Sequence, residues 1–568
     1  METMKKNHNQ NELEEIIEEI SKTVDLGGDY KDNRFFKMLL CYFLWKIQTD
    51  KSIKTTSDME TYGYGRSAVQ FKTIRFVELL EYFDNNESKW EKLLGLVGKY
   101  SDEDLADCLL CSDFFEDDFY EIVPDSVSKL VEALLHIEDG EKVIQLNSQI
   151  SSFVDECQTQ YPNSSIAAYD QEYNALTYAS IAADIKGQRN IVFMDEPDDN
   201  KYNKVFANTI IDPAKNVRDS EMEDYLSEAW NKFPCGISNT WSTCGWALAS
   251  LEEGGKVVAV MNAGQLTVKQ TEGIRKFLCE GGYIEGVIML PDKMYSDTWV
   301  NPYLLIMNKN PNKQIKFYDA SGTFINSRIK GKRINAFSEE IIKTIVNCYE
   351  EEKDTVSVEL ETIIANDYNL NPLRYTANKD SSVETIELGS VIREIKRGIS
   401  ITAAEMDAYI SEEPSSIKCV IPSSINEGVV SSSLYYHREK KKQGKNEVSY
   451  GDILLSKTGN PFKIAITRDR YLVVGNLYIL DIDSSKINSA YLRCFLNSEQ
   501  GQNELRKYAV GPTTPVISIT NIQKVRIPVY DEKKQKVLNK KCEEIVSDLE
   551  KCYKQISDNE QEVNSIFG

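Results

Sequence analysis

Cys108-Leu109-Leu110-Cys111 is the one pair of thiols in this chain spaced to grip a metal or to cycle as a disulfide. A zinc site needs a second such pair or nearby imidazoles, and His8, His136 and His437 are far apart. The twelve cysteines otherwise lack framework spacing, so reduced, partly buried thiols and no metal are expected. Phosphate-gripping chemistry has a better footing. A net charge of -23 excludes a nonspecific nucleic-acid coat, which depends on Lys and Arg neutralising phosphates. The charge is uneven, however. Ser101 to Glu121 is acidic, whereas basic clusters gather late, at Arg393-Glu394-Ile395-Lys396-Arg397, around Lys440, Lys441 and Lys442, and at Arg468-Asp469-Arg470. A charge run is as readily a solvated face. Asp195 and Asn208 come directly after short apolar runs, and Glu172 closes Asp170-Gln171-Glu172 after another. Carboxylates at such places also serve as helix caps or solvated strand ends.

The elements that must position these groups are legible from periodicity. The 568 residues exceed one hydrophobic core. From Asn11 to about Phe115 apolar residues recur at helical spacing, as in Leu13, Ile16, Ile17 and Ile20, which predicts a helical N-terminal domain over 1–121. After Pro124-Asp125 an amphipathic helix is expected, and beyond Asp139-Gly140 short apolar runs alternate with helical ones, the pattern of a parallel sheet with crossover helices. The strands expected are Lys142–Leu146, Ile166–Tyr169, Ile191–Met194, Val205–Ala207, Lys256–Met261, Ile284–Leu290, Tyr303–Met307 and Ile315–Tyr318, with helices at Ala175–Ile185, Met222–Phe233, Thr271–Cys279 and Ser338–Glu352. This is a doubly wound α/β domain, whose ligand site lies at the carboxyl ends of the strands. After Pro372 the chain reads as β-rich, with strands such as Asp452–Ser456 and Tyr471–Asp481, and Glu532 to Phe567 reads as one long helix whose narrow apolar stripe wants a partner helix. No uncharged apolar run of about 18 residues occurs, and the start is polar, so a soluble, cytoplasmic protein without membrane contact is expected.

Three segments resemble a family. Asn366-Asp367-Tyr368-Asn369-Leu370-Asn371-Pro372-Leu373-Arg374-Tyr375 resembles the closing signature of type I restriction-modification methyltransferase subunits, which methylate adenine N6. Gly255–Val260, Ile274–Leu278 and Ile284–Pro291 are similar to that family's later strands. Gly451-Asp452-Ile453-Leu454-Leu455-Ser456, and the run from Tyr491 through Pro512-Thr513-Thr514-Pro515 to Val529, resemble the type I specificity subunit. The resemblance implies four parts: a helical domain (1–121), a Rossmann-like adenine-N6 methyltransferase-like domain (122–378), a β-rich DNA target-recognition domain (379–531) and a dimerisation or spacer helix (532–568).

The resemblance also assigns residues. S-adenosylmethionine would be held by a glycine-rich turn after the first strand, because glycine lets backbone amides approach it closely, yet here the turn is Leu146-Asn147-Ser148-Gln149-Ile150-Ser151-Ser152-Phe153. Glu172 takes the place of the carboxylate on the cofactor ribose, and Asp195 that of the acid near its adenine. The catalytic Asn-Pro-Pro-aromatic tetrapeptide would bind the amino group of a flipped adenine and stack on its ring. Asn208-Thr209-Ile210-Ile211 keeps only the amide, a vestige of the catalytic residue. Asn301-Pro302-Tyr303 mimics the lost motif but precedes a strand instead of ending one. In the recognition domain the candidates for phosphate and base contact are Lys440, Lys441, Lys442, Lys457, Thr458, Asn460, Lys463, Arg468, Arg470, Thr513 and Thr514. The expectation is a sequence-specific DNA-binding protein of a type I-like restriction-modification or phage-defence system with an inactive methyltransferase-like domain. The alternative is an active S-adenosylmethionine-dependent adenine-N6 methyltransferase with divergent motifs. Expected partners are double-stranded DNA and either a second copy or a methyltransferase, specificity or nuclease subunit.

Overall fold

The computed structural model describes residues 45, 49, 87–99, 101, 102, 105, 123–148, 151–170, 173–188, 190–194, 198, 200–209, 239–295, 301–329, 332–376, 383–431, 434–437, 446–509 and 515–567. Most of the N-terminal helical domain, the Cys108–Cys111 pair and the Met222–Phe233 helix lie outside them, as do Glu172, Asp195, Lys440, Lys441, Lys442, Thr513 and Thr514. The chain divides into two compact units, Met1–Leu370 and Asn371–Gly568.

The first unit is built on a nine-stranded sheet. Its strands are β1 (Lys142–Leu146), β2 (Ser165–Tyr169), β3 (Ile191–Met194), β4 (Tyr202–Asn208), β5 (Leu251–Asn262), β6 (Ile284–Met289), β7 (Pro302–Asn308), β8 (Gln314–Asp319) and β9 (Val356–Glu359). Their spatial order is β9-β8-β6-β7-β5-β4-β1-β2-β3. Strands β1 to β5 pair in parallel, as do β6 and β8. Two strands depart from the parallel pattern read from the sequence: β7 runs antiparallel to both β5 and β6, and β9 antiparallel to β8. The run Pro302–Asn308 is buried throughout because it lies between two strands and under both faces. Its apolar character announces a central strand and carries no information on direction.

Alternation sends successive side chains to opposite faces. Val143, Ile166, Ala168, Phe206, Val258, Val260, Ile288, Leu304 and Ile306 form one core with α1 (Asp125–Leu135), α2 (Phe153–Gln160), α3 (Tyr173–Ile185) and α6 (Glu339–Glu350). Toward the other face, Tyr169 meets Trp246 of α4 (Asn239–Ala249) edge-on, with centroids 4.6 Å apart. Helices on both faces make the unit doubly wound, as expected. Helix α5 (Glu272–Glu280) carries the fully buried Arg275, whose Nε donates to the Tyr368 carbonyl at 2.6 Å and whose Nη1 donates to the Val268 carbonyl at 2.8 Å. A hairpin at Ile325–Ile329 and Lys332–Ala336 was not anticipated.

The second unit contains a four-stranded antiparallel sheet in the order β10-β13-β11-β12, where β10 is Ile392–Arg397, β11 Ile453–Ser456, β12 Ile464–Ile466 and β13 Leu477–Ile482. The single strand expected over Tyr471–Asp481 is corrected to two. Gly475, at φ 80°, turns the chain, so that Tyr471–Val473 joins a separate five-stranded sheet. Helices α7 (Ser489–Asn497) and α8 (Glu499–Tyr508) pack Leu492, Leu496 and Leu505 into the same core as Ile453, Leu455 and Leu480. The last helix, α9, runs unbroken over Glu532–Phe567, as read from the sequence. No helix among the described residues is long and apolar enough to cross a membrane.

Candidate functional site

In an open sheet of this kind a ligand enters at the carboxyl ends of the strands where the order reverses. Here that point lies between β1 and β4. Asn208 is the last residue of β4, so the structure places it at the mouth of this crevice. Across the crevice stands Asn147, immediately after β1 with φ 51°, the left-handed region that Asn tolerates better than other side-chain-bearing residues. Its Nδ2 donates to the Asn208 carbonyl at 3.1 Å and to Oγ1 of Thr243 on α4 at 3.3 Å. The Asn208 Nδ2 returns a long hydrogen bond of 3.5 Å to the Asn147 carbonyl. A pair of amides thus joins the ends of β1 and β4, just beyond the Leu146–Ala207 pair.

The residue just beyond Asn208 is Thr209, where the tetrapeptide would have proline. Thr209 is buried, and both its N–H (2.9 Å) and its hydroxyl (2.7 Å) donate to the Val260 carbonyl. These bonds prolong the β4–β5 ladder by a residue. Proline has no N–H and cannot make the first of them. Asn301-Pro302-Tyr303 does lie along the same edge of the sheet, because β7 is reversed: Pro302 pairs with Asn262 and Tyr303 with Met261. Tyr303 is nevertheless buried, and burial drives its hydroxyl well above the ordinary tyrosine range. Its ring belongs to the core and is not presented to a base.

Asn147, in the turn where the resemblance places a glycine-rich cofactor loop, is held to Asn208 and Thr243. Among the described residues no group of His, Cys, Asp or Glu could hold a metal ion.

Behind the crevice loop, Ser152 donates to Asp125 at 2.6 Å, and Lys129 lies 2.9 Å from Asp125 and 3.7 Å from Glu156. Burial, reinforced by the Asp125 carboxylate, raises the Glu156 pKa from 4.5 to about 8. Burial opposes the Asp125 charge too, but hydrogen bonds from Ser152 and Lys129 outweigh it and keep that carboxyl below its usual value. Because the folded protein holds the Glu156 proton more tightly than the unfolded chain, Glu156 costs nothing below about pH 4.5 and costs progressively more stability up to about pH 8. Glu156→Gln is accordingly expected to raise the melting temperature at pH 8.5 and to leave it nearly unchanged at pH 4.5. Equal shifts at both values would contradict this.

In the second unit the strand ends sort the basic candidates into two groups. At one end of the four-stranded sheet lie Arg397 at the end of β10, Asn476 before β13, and the β11–β12 loop with Lys457, Thr458, Asn460 and Lys463. The Lys457 N–H donates to the Asn476 carbonyl at 2.8 Å, and Thr458 bridges to Val516, beside the segment that bears Thr513 and Thr514. Asn460 and Lys463 are exposed, although the Lys463 ammonium also donates to the Pro422 carbonyl at 3.0 Å. At the opposite end, Arg468 pairs with Glu550 at 2.9 Å and stacks 5.3 Å from the Tyr450 ring centroid. Arg470 Nε donates to Glu447 at 2.8 Å. The two arginines thus have carboxylate partners within the fold. Sequence reading named Arg397 within a basic cluster and Asn147 within a turn without glycine, but gave neither a role of its own.

The sheet order and the helices on both its faces define the first unit as a doubly wound α/β fold. Residues 118–384 match the family model described as N-6 DNA Methylase. The chain is 32% identical over 206 residues to the type I restriction enzyme MjaVII methylase subunit of Methanocaldococcus jannaschii, covering 33% of this chain and 35% of that one. It is 33% identical over 132 residues to the MjaVIII methylase subunit of the same organism, covering 22% of each. The chain therefore spans only about a third or less of these relatives. A solved type I restriction-modification methyltransferase subunit from Streptococcus thermophilus aligns with a TM-score of 0.47 at 17% identity, covering 64% of this chain and 99% of that one.

Proposed function

We propose that this protein reads double-stranded DNA as part of a type I-like restriction-modification or phage-defence system, and that its methyltransferase-like unit no longer transfers methyl groups. The observation that carries the reading is the Asn147 side chain, which spans the crevice from β1 to the Asn208 carbonyl and to Thr243. Adenine-N6 transfer needs an open cofactor turn and a base-stacking ring beside the amide. Losing base stacking alone costs about 1–3 kcal/mol, and each 1.36 kcal/mol is about tenfold in rate.

The β11–β12 loop end of the second unit serves as the DNA-facing edge. There Lys457, Lys463 and Arg397 grip phosphates, while Thr458 and Asn460 meet base edges, with Thr513 and Thr514 as further candidates. Lys440, Lys441 and Lys442 add positive charge to the same unit. Arg468 and Arg470 hold Glu550 and Glu447 and contribute little to DNA affinity. Duplex DNA and at least one further subunit of the system are its partners.

A second reading has its own support: Asn208 stands at the carboxyl end of β4, where an active enzyme would need it. Calorimetric titration with S-adenosylmethionine separates the two. The first reading expects no heat of binding at millimolar cofactor, and Asn147→Gly, which removes the bridge, is expected to lower the melting temperature of the unit. Micromolar affinity abolished by Glu172→Ala would establish the second reading instead.

A further inference from the structure

Between β8 and α6 the chain changes sign. From Ala320 to Ser338 it carries Arg328, Lys330, Lys332 and Arg333 and no acid, in a protein whose net charge is -23. Arg328, Lys332 and Arg333 belong to the hairpin of Ile325–Ile329 with Lys332–Ala336, and Lys330 falls between its strands in sequence. The sheet fixes where this hairpin leaves the body. Strands β5 and β6 both run antiparallel to β7, and β8 runs parallel to β6, so β8 ends on the same edge as β1 and β4. The hairpin therefore springs from the edge that carries the Asn208 crevice.

Its root is fixed. Ile334 and Asn335 are buried. The Asn335 N–H donates to the Lys293 carbonyl at 2.9 Å, and its Nδ2 donates to the carbonyl and to Oδ1 of Asp292 at 2.9 and 3.1 Å. Beyond the root the register sets Arg333 directly opposite Arg328. Directly opposed residues of an antiparallel pair share a face, with Cβ atoms roughly 5 Å apart. Both arginines are exposed, and among the described residues no carboxylate pairs with either. Like charges held opposite one another destabilise a hairpin. The opposition is relieved when an anion sits between the two guanidiniums, whose planar forks match phosphate oxygens.

We propose that this hairpin is a second phosphate grip, in which Arg328 and Arg333 hold the backbone of duplex DNA at the crevice edge of the first unit. The inference rests on the DNA-reading function proposed above and adds to it a contact outside the second unit. An acidic protein segment would meet the same cations. The phosphodiester backbone is favoured because contacts to it carry no sequence information and need only exposed charge on a fixed root.

The test uses the full chain and a labelled mixed-sequence duplex, read by fluorescence anisotropy at several salt concentrations. Arg328→Gln with Arg333→Gln is expected to weaken binding more than about tenfold and to lower the slope of log affinity against log salt by about two. Each single Gln variant should lower that slope by about one and melt no lower than the parent, because it removes the like-charge opposition. Arg328→Lys with Arg333→Lys should keep the slope and recover only part of the affinity, since an ammonium lacks the fork. Unchanged affinity and slope in the double Gln variant would overturn the proposal, and so would a loss of affinity matched by a lower melting temperature. Polyglutamate bound by the parent and lost in that variant, while duplex binding stays, would overturn it in favour of an acidic protein. Lys457→Glu with Lys463→Glu, measured alongside, separates the inference from the reading beneath it. If only the lysine variant loses affinity, the hairpin grip falls and the second-unit edge stands; if only the hairpin variant does, the reverse holds. A parent chain that binds no duplex would sink the reading and the inference with it.

Discussion

Replacing Lys457 and Lys463 together by Glu is expected to cut affinity for duplex DNA about a hundredfold at near-physiological salt. Each lysine that holds a phosphate contributes a charge-assisted contact of roughly 1.5 kcal/mol, about tenfold in binding. Each also releases about one condensed counterion, so the slope of log affinity against log salt should fall by about two. Gel-shift titrations at several salt concentrations read both quantities. The control is Arg470→Gln, because Arg470 is already paired with Glu447 at the far end of the β11–β12 hairpin. It should change affinity less than about twofold. Arg397→Glu should behave like the lysines, since β10 ends beside β13 and Lys457. If Arg470→Gln weakened binding as strongly as Lys457→Glu, the DNA-facing edge would have been placed at the wrong end of the sheet.

The largest stability effect is expected at Arg275. Its side chain is 1% exposed, and its hydrogen bonds reach the carbonyls of Tyr368, Val268 and Gln265, the last at 3.2 Å. Asp367 and Tyr368 both sit in the left-handed region, at φ 55° and 52°, a conformation that non-glycine residues hold only when the surroundings impose it. Arg275→Ala removes the charge that imposes it and leaves buried carbonyls short of donors, a cost of about 3–5 kcal/mol. The first unit should melt at a markedly lower temperature, and a protease should cut near residues 366–370 where it does not cut the parent. Arg275→Lys should recover only part of the loss, because an ammonium cannot reproduce the fork that spans several carbonyls. An unchanged proteolytic pattern in Arg275→Ala would contradict this role.

Much of the first unit was legible because buried parallel strands are short apolar runs between helical ones. Lys142–Leu146 and Ile191–Met194 match the structure residue for residue. The reversal of β7 was not legible, since a strand buried on both faces shows the same apolar run in either direction. Tyr471–Asp481 looked continuous because Val474-Gly475-Asn476 is too brief an interruption to break a hydrophobic pattern, yet the positive φ of Gly475 sends the two halves to different sheets. In the candidate site the position of Asn208 after a buried strand was readable, and so was the absence of glycine before α2. The amide bridge was not. It joins residues 61 apart in sequence, and they meet only because β1 and β4 are neighbours in the sheet. The same applies to Arg468 and Glu550, 82 residues apart. A basic residue shows its charge in the sequence, whereas the carboxylate that meets it appears only in the fold.

The most direct test of the central claim is methyl transfer by the purified chain itself. With tritiated S-adenosylmethionine and mixed-sequence duplex DNA, and no other subunit, the bridged crevice predicts no label in DNA above a protein-free control, from a preparation that shifts the same duplex in a gel. Incorporation of tritium into adenine by this chain alone, lost in Asn208→Ala, would contradict it.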